Sequence, residues 1–464
     1  MHDRVPPGGH SVANSRAELL PLSNLQRSMS RAVTSASANL VVQAVVKNIS
    51  RYSHFNFSLI DQMIISCANF IMGILLARHL GVSQFGQFSL AWLAVQFVQT
   101  LQNAAVIQPM MSIGPKQSAD TRGPYYSIAF IQQFMFASLS ATLVLVGLSL
   151  SDQVFREWNV RPLLWPLSAM VFASQIQDFL RRYFFSVGKS QMSIVIDSVR
   201  YGGQTLAFLC LFLFSSWQPD IAEVLWTMLV AASASILAAW CCIDNFEWSL
   251  AEWRKITLRH WHFSKWLMGA CIAGWMSGEL YYVIIAAILG SSAVGILKAA
   301  QTIMGITNVF FQGMQNFMPV RASIVYREGG IRELVKFLRK CSFVVVSATA
   351  GIALIVCIYP NYVMGFFYGS QYRDYGWVLV GYAIVYIVTA LGVVVPLGLL
   401  TLERTYATLL GFIISAVVSI GLMYPLVSRY GLVGSLIGLA IYPAVQSLVQ
   451  YFALRKALRK ISDN

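Results

Sequence analysis

Ile74-Leu75-Leu76-Ala77-Arg78-His79-Leu80-Gly81-Val82-Ser83-Gln84-Phe85-Gly86-Gln87-Phe88-Ser89-Leu90-Ala91 joins two apolar runs through a short turn. The flanking runs, Leu59–Ala77 and Phe88–Met111, each match the roughly 20 apolar residues that a helix needs to cross a hydrocarbon core. Gly81 and Gly86 frame the turn, where glycine permits positive φ and close packing. The same LGxxxxG returns 209 residues later as Leu289-Gly290-Ser291-Ser292-Ala293-Val294-Gly295, again between apolar runs.

Outward from this hairpin, further runs of spanning length cover Ser127–Leu150, Leu163–Phe179, Ile194–Phe214 and Ile221–Ile243. The second half of the chain supplies Leu267–Leu289, Ile296–Met318, Cys341–Gly365, Trp377–Leu400, Tyr406–Leu426 and Leu432–Phe452. Backbone groups in lipid must be satisfied within their own segment, so each run is predicted to be a helix. A mean hydropathy of +0.63 with 11% charged residues agrees with this reading. The expected fold is an all-α integral membrane protein with about 12 transmembrane helices in two six-helix lobes.

Charge gives the orientation. Of 33 Lys and Arg, 26 fall in the two tails and in every second gap between runs. The other gaps and their borders hold only Arg78, Arg156, Arg161, Arg373 and Arg429, while Arg200 and Lys298 lie within spans. Retained cytoplasmic loops carry the Lys/Arg excess, so both termini are expected in the cytoplasm. Contact with anionic lipid headgroups accounts for the net charge of +14, and no nucleic-acid motif is present. The seven cysteines show no CxxC or Cys/His metal spacing and read as small packing residues.

The expected organisation is a basic, Ser-rich and mostly disordered tail over 1–57, a first lobe over 58–243 and a basic linker over 244–266. A second lobe over 267–453 and a basic tail over 454–464 follow. Within the first tail, Asn39–Val46 with Lys47 and Arg51 is the one stretch that reads as a short interfacial helix, against a plain unstructured tail. The halves also share amides: Gln99-x-x-Gln102-Asn103 and Gln312-x-x-Gln315-Asn316, at an offset of 213, about one helical turn off the glycine match.

The hairpin 74–91 resembles the first hairpin of polysaccharide flippases of the MOP exporter superfamily, and the span pattern over 58–453 is similar throughout. The resemblance implies a MOP/MATE-like fold that moves undecaprenyl-diphosphate-linked oligosaccharides, as in O-antigen or exopolysaccharide synthesis, across the bacterial inner membrane. It implies alternating access of two lobes around a basic central cavity, with glycan polymerase and chain-length-control proteins as partners beside the membrane lipids. The chain departs from the family pattern in its long first tail, in Gln84 where an acid is frequent, and in having few basic residues inside its spans.

Ionisable residues inside spans are the default functional candidates, because an unpaired charge costs several kcal/mol in lipid. Glu279 lies about 12 residues into its span, ~18 Å deep at 1.5 Å per residue. It is placed to take a proton or Na⁺, or to pair with a cavity cation; the plain alternative is a protonated acid between helices. Asp197 and Arg200 stand three apart and are expected to share a face and pair, with Arg200 offering a fork of donors to a diphosphate. A purely structural ion pair is the alternative. Asp178 with Arg181 and Arg182 repeats the theme as a gate pairing or an interfacial cluster, and Asp61 is an inner-gate candidate. Lys298 is a cavity cation or a snorkelling lysine. Arg78 stabilises a helix C-terminus at the outer boundary. The amides Gln96, Gln99, Gln102, Asn103, Gln312, Gln315 and Asn316 are expected to face a hydrated cavity and bind sugar hydroxyls, with interhelical packing as the alternative.

No Walker A loop, zinc-type spacing or nucleophile/base set occurs, so no catalytic residue, cofactor or metal is expected. Two other functions remain open: a multidrug or organic-cation antiporter of the same superfamily, dependent on Glu279, and a membrane glycan polymerase, dependent on outer-loop arginines such as Arg156 and Arg161.

Overall fold

In the computed structural model the backbone is described for residues 22–154, 160–214, 219–243, 247, 252–402 and 404–462. Among these residues it is helical between short turns, with no strand, as the apolar runs require. The chain divides into a first unit ending at Leu59 and a second, Ile60–Asn464. The first unit is helical from Leu22, where a mostly unstructured tail is expected from composition. The reason lies in what the sequence omits: no glycine or proline occurs from Leu22 to Met72. Asn39–Val46 falls inside this helical stretch; its side chains, and all of residues 1–21, lie outside the described residues.

The second unit opens with the quoted hairpin. Helix α1, Leu22–Gln102, leaves helical geometry at Gly81, with φ 77° and ψ 175°. In the repeat, α9, Leu280–Leu289, stops at Gly290, with φ 83° and ψ 171°, before α10, Ser291–Met304. L-residues rarely adopt this conformation, which is why each LGxxxxG begins with glycine where it does. The second glycines serve another need. A Cβ on Gly86 would overlap the carbonyl oxygen of Ser291, and a Cβ on Gly295 would overlap that of Val82. Val82 and Ser291 each follow the first glycine of their motif, so the two hairpins cross reciprocally, backbone against backbone. The Ser83 and Ser291 hydroxyls lie 3.1 Å apart beside the crossing, and Gln371 Nε2 donates to Arg78 O at 3.3 Å.

Beyond the hairpins, each half packs mainly on itself. In the first, α4 (Leu164–Ser186) lies between α3 (Ala119–Val154) and α7 (Ile221–Trp240). In the second, α13 (Gly376–Gly392) packs against α10, α11 (Asn308–Ile358) and α15 (Thr405–Ser462). Among the described residues, seven helical stretches are long and apolar enough to cross a membrane: Asp61–Lys116, Asp120–Leu150, Ile221–Trp240, Leu267–Leu289, Arg321–Ile358, Ser370–Thr401 and Tyr406–Arg459. The first and last, at 56 and 54 residues, each contain a break (Gly81 or Gly431) and have length for two crossings.

The expected spans four, five and eight fall outside those stretches. Helix α4 carries Asp178 at the end of span four and Arg181 and Arg182 just beyond it. Span five is divided into α5 (Ser190–Asp197), a π turn over Ser198–Gly202 and α6 (Gly203–Phe214). Span eight is interrupted by a 3₁₀ turn over Gly305–Thr307. The expected span nine is likewise not one helix, since α11 ends at Ile358 and α12 restarts as Pro360–Tyr368.

The linker between the halves becomes helical at Trp253, where α8 (Trp253–Gly278) begins. It docks through Ile256, His260 and Ser264, which are buried at a spacing of four on one helix face. Ser264 Oγ donates to Ala105 O at 3.1 Å, Gln132 Nε2 donates to Thr257 Oγ1 at 2.9 Å, and His260 Nε2 lies 2.8 Å from the Tyr125 hydroxyl.

Burial, with a smaller push from Arg259, drives the His260 imidazole down from 6.5 to about 4. A base whose folded pKa is depressed stabilises the fold fully above its unfolded pKa and loses that contribution as pH falls toward the folded one. The thermal stability of the purified protein is therefore expected to fall as pH drops from 6.5 to 4, by up to on the order of 3 kcal/mol from this residue. His260→Gln should flatten that part of the profile.

The hairpin crossing makes a separate prediction. In a cysteine-free background, Ser83→Cys with Ser291→Cys should cross-link readily. Adding Gly86→Ala or Gly295→Ala should slow the cross-link several-fold, because overpacking of this kind costs about 1–3 kcal/mol. Unchanged cross-linking would mean the hairpins tolerate the extra methyl.

Candidate functional site

A cavity of about 240 Å³ lies just inside the crossing. Its polar wall is Asn69, Ser89, Trp92 and Gln96 of α1, Gln204 of α6, and Lys298 and Thr302 of α10. Its apolar wall is Met72, Leu76, Phe85, Phe88 and Met228, with the Phe88 and Trp92 rings stacked at 6.1 Å and 15°. Both halves contribute. The volume is below the roughly 300–1,000 Å³ of a drug-sized ligand pocket, so this form admits part of a large headgroup at most.

Lys298 is the ionisable residue among those lining the cavity. Its Nζ lies 3.3 Å from Glu279 Oε2 and 3.7 Å from the centre of the Tyr282 ring. Glu279 stands at the break between α8 and α9, which begins just after Gly278. A cation in a dry site needs an opposite charge or a π-face, and Lys298 has both. Behind it, the Tyr282 hydroxyl donates to Gln301 Oε1 at 3.1 Å and is hydrogen-bonded to the Tyr382 hydroxyl. Asn308 Nδ2 donates to the Tyr386 hydroxyl at 3.5 Å, which extends the polar cluster along α13.

A second cluster lies in the first half. Arg181 reaches Asp61 Oδ2 at 2.7 Å, Asp197 Oδ2 at 2.5 Å and Asp178 Oδ1 at 3.5 Å; Arg182 also approaches Asp178, at 3.7 Å. Asp61 and Asp197 are fully buried. The expected Asp197–Arg200 pair does not form. Residues 198–202 make a π turn, whose wider winding moves Arg200 off the face that an α-helix would share with Asp197. Asp197 instead accepts from Gln177 Nε2 at 2.9 Å. Arg200 donates to Gln177 Oε1 and lies 5.0 Å over the Tyr201 ring. Gln177 thus bridges the two, and it carries no charge that would mark it in the sequence.

The expected amide faces divide in the same way. Gln96 lines the cavity. Gln102 is buried and donates to Gln175 O at 2.8 Å, which is the packing alternative, while Gln99 and Asn103 are half-buried. Gln312 is exposed, and the side chains of Gln315 and Asn316 lie outside the described residues, as does Arg156. Arg78 is exposed in the last turn before Gly81. Asn69, Trp92, Gln204 and Thr302 are cavity residues that the sequence left unmarked, since uncharged side chains carry no membrane-cost signal.

Apolar helices long enough to cross a membrane, arranged around a charge-paired polar cavity, make a multi-pass membrane architecture, and solved structures share it. An inward-facing multidrug resistance MATE family transporter of the MOP superfamily aligns with a TM-score of 0.70, at 13% identity, over 88% of this chain and 99% of that one. The lipid II flippase MurJ in an inward closed conformation aligns with a TM-score of 0.64, at 11% identity, over 88% and 90%. An outward-facing MATE family transporter gives 0.59, at 14% identity, over 87% and 94%. No curated protein matches the sequence closely enough to count as a relative. Residues 53–325 match the polysaccharide biosynthesis protein family, and the chain belongs to it. Its fold is the one shared by the MOP-superfamily transporters and the flippase to which it aligns.

The Arg181 cluster makes a stability prediction. Arg181→Ala strands two buried carboxylates, a change that typically costs about 3–5 kcal/mol. Thermal unfolding in detergent should show that loss, and adding Asp61→Asn with Asp197→Asn should restore part of it. No recovery would mean that the charges are compensated elsewhere.

Proposed function

We propose that the protein flips polyprenyl-diphosphate-linked oligosaccharides, of the undecaprenyl type, across the bacterial inner membrane with both termini in the cytoplasm. The observation that carries this reading is Lys298, a cation held by Glu279 in a cavity that both halves line. Family membership and the Lys/Arg asymmetry of the loops support it.

The diphosphate would compete with Glu279 for Lys298. Amides and hydroxyls of Asn69, Gln96, Gln204 and Thr302 would bind sugar hydroxyls, with Trp92 as a stacking face. The polyprenyl tail stays in lipid. Displaced from Lys298, Glu279 becomes free to take up a proton or Na⁺, which couples the gradient to the step. The Arg181 cluster would act as the inner-side gate. Separation and re-pairing of the two glycine hairpins on the outer side would expose the cavity alternately, which is the rocking expected of a repeat-built transporter.

Lipid extracts of a deletion strain, assayed beside its surface glycan, test the reading. Lipid-linked oligosaccharide should accumulate facing the cytoplasm while surface glycan is lost. Complementation with Lys298→Gln should restore less than about a tenth of the flux, the equivalent of roughly 1.4 kcal/mol or more. Glu279→Gln should retain binding and lose dependence on the ion gradient. Normal glycan with new sensitivity to cationic drugs would instead favour the antiporter, for which Glu279 would be the drug-binding acid.

A further inference from the structure

The first turns of α8 carry an outward face that neither the cavity nor the docking of the linker uses. Ile256, His260 and Ser264 point into the first half, so the opposite side of the same turns is exposed. That side presents Trp261, Leu258 and Phe263, which are 57%, 52% and 43% exposed. Around them stand Arg254, Lys255, Arg259 and Lys265, all exposed. No Asp or Glu occurs from Trp253 to Gly278. Glu252, just before the helix, bonds Lys255 at 3.2 Å.

The basic stretch of α11 looks different. On α11, Arg332, Lys336, Arg339 and Lys340 are exposed, but every apolar side chain among them is buried or half-buried. The α8 face, unlike that of α11, interleaves large apolar groups with cations. It is also continuous with a stretch apolar enough to cross a membrane, Leu267–Leu289. Trp261 precedes Leu267 by six residues, about 9 Å of helix. That depth is where aromatic side chains with an apolar body sit among headgroups, and where lysine and arginine reach phosphate.

We propose that this face docks on anionic phospholipid headgroups, with Trp261 as its anchor, and pins the joint between the two halves to the membrane surface. Charge sets the choice of lipid. A zwitterionic surface would accept the aromatic groups but offer this cluster of cations no net negative charge. The proposal does not depend on what the cavity carries.

The purified full-length protein tests it directly. Thermal unfolding is measured in detergent supplemented with phosphatidylglycerol or with phosphatidylcholine, and the excess stabilisation by the anionic lipid is scored within each variant. The excess should fall by more than half in R254Q/R259Q/K265Q and in Trp261→Ser, and persist in R332Q/R339Q/K340Q. In proteoliposomes, acyl-brominated phosphatidylglycerol should quench the fluorescence component that Trp261→Phe removes, and the α8 triple variant should weaken that quenching. No lipid preference in the wild type, equal loss in the α11 control, or an unquenched Trp261 component would overturn the proposal. Equal stabilisation by inorganic pyrophosphate would also overturn it, because the site would then read a free anion.

Discussion

The closeness of two hairpins, permitted only by the missing side chains of Gly86 and Gly295, places everything else in the second unit. Each of these glycines meets a carbonyl oxygen of the other repeat, at Ser291 and Val82. Two turns along α10 from that crossing comes Lys298, and one turn further Thr302, which a Cβ on Gly73 of α1 would meet at 3.0 Å. The near contact therefore runs from the crossing down α1 and α10 and fixes how far Lys298 stands from Asn69 and Trp92. An apolar interior packs without free space to absorb a displacement, so the spacing at the glycines is transmitted to the cavity.

Charge balance is the second constraint. Within the described apolar interior, Lys298 sits with Glu279 and Arg181 with Asp61, Asp178 and Asp197, while Arg200 rests on the Gln177 amide and the Tyr201 ring. Removing two ions from water costs several kcal/mol each, and mutual attraction with added hydrogen bonds offsets most of it. The two sites differ in how they are completed. Arg181 is held by carboxylates from three helices and is well enclosed. Lys298 borders open volume and, among the described residues, pairs with the single carboxylate of Glu279.

Much of this was legible along the chain. The apolar runs, the LGxxxxG repeat, and the singling out of Glu279 and Lys298 follow from local composition and the expense of charge in lipid. Other features were not. Asp61 and Arg181 are 120 residues apart, and no spacing rule connects them. The Asp197–Arg200 spacing suggests a pair on α-helical geometry, and a π turn dissolves it. Gln102, one of a set of amides with common spacing, turns inward to a backbone carbonyl while Gln96 faces the cavity; helical period alone does not distinguish lining from packing. The helicity of residues 22–59 ran against composition because helix breakers, and not polarity, control whether a segment can wind.

By itself, then, the sequence determined that the chain is an α-helical membrane protein, that one glycine-framed hairpin motif recurs along it, and which charges fall within its apolar runs. Those are local properties: length, hydropathy, glycine placement and the penalty for an unpaired ion. Only the tertiary structure decided which partner each charge takes, that Gly86 and Gly295 meet across the repeat, and that Asn69, Trp92 and Gln204 share a cavity with Lys298. Those depend on the register of helices distant in sequence, which close packing sets and no single segment encodes.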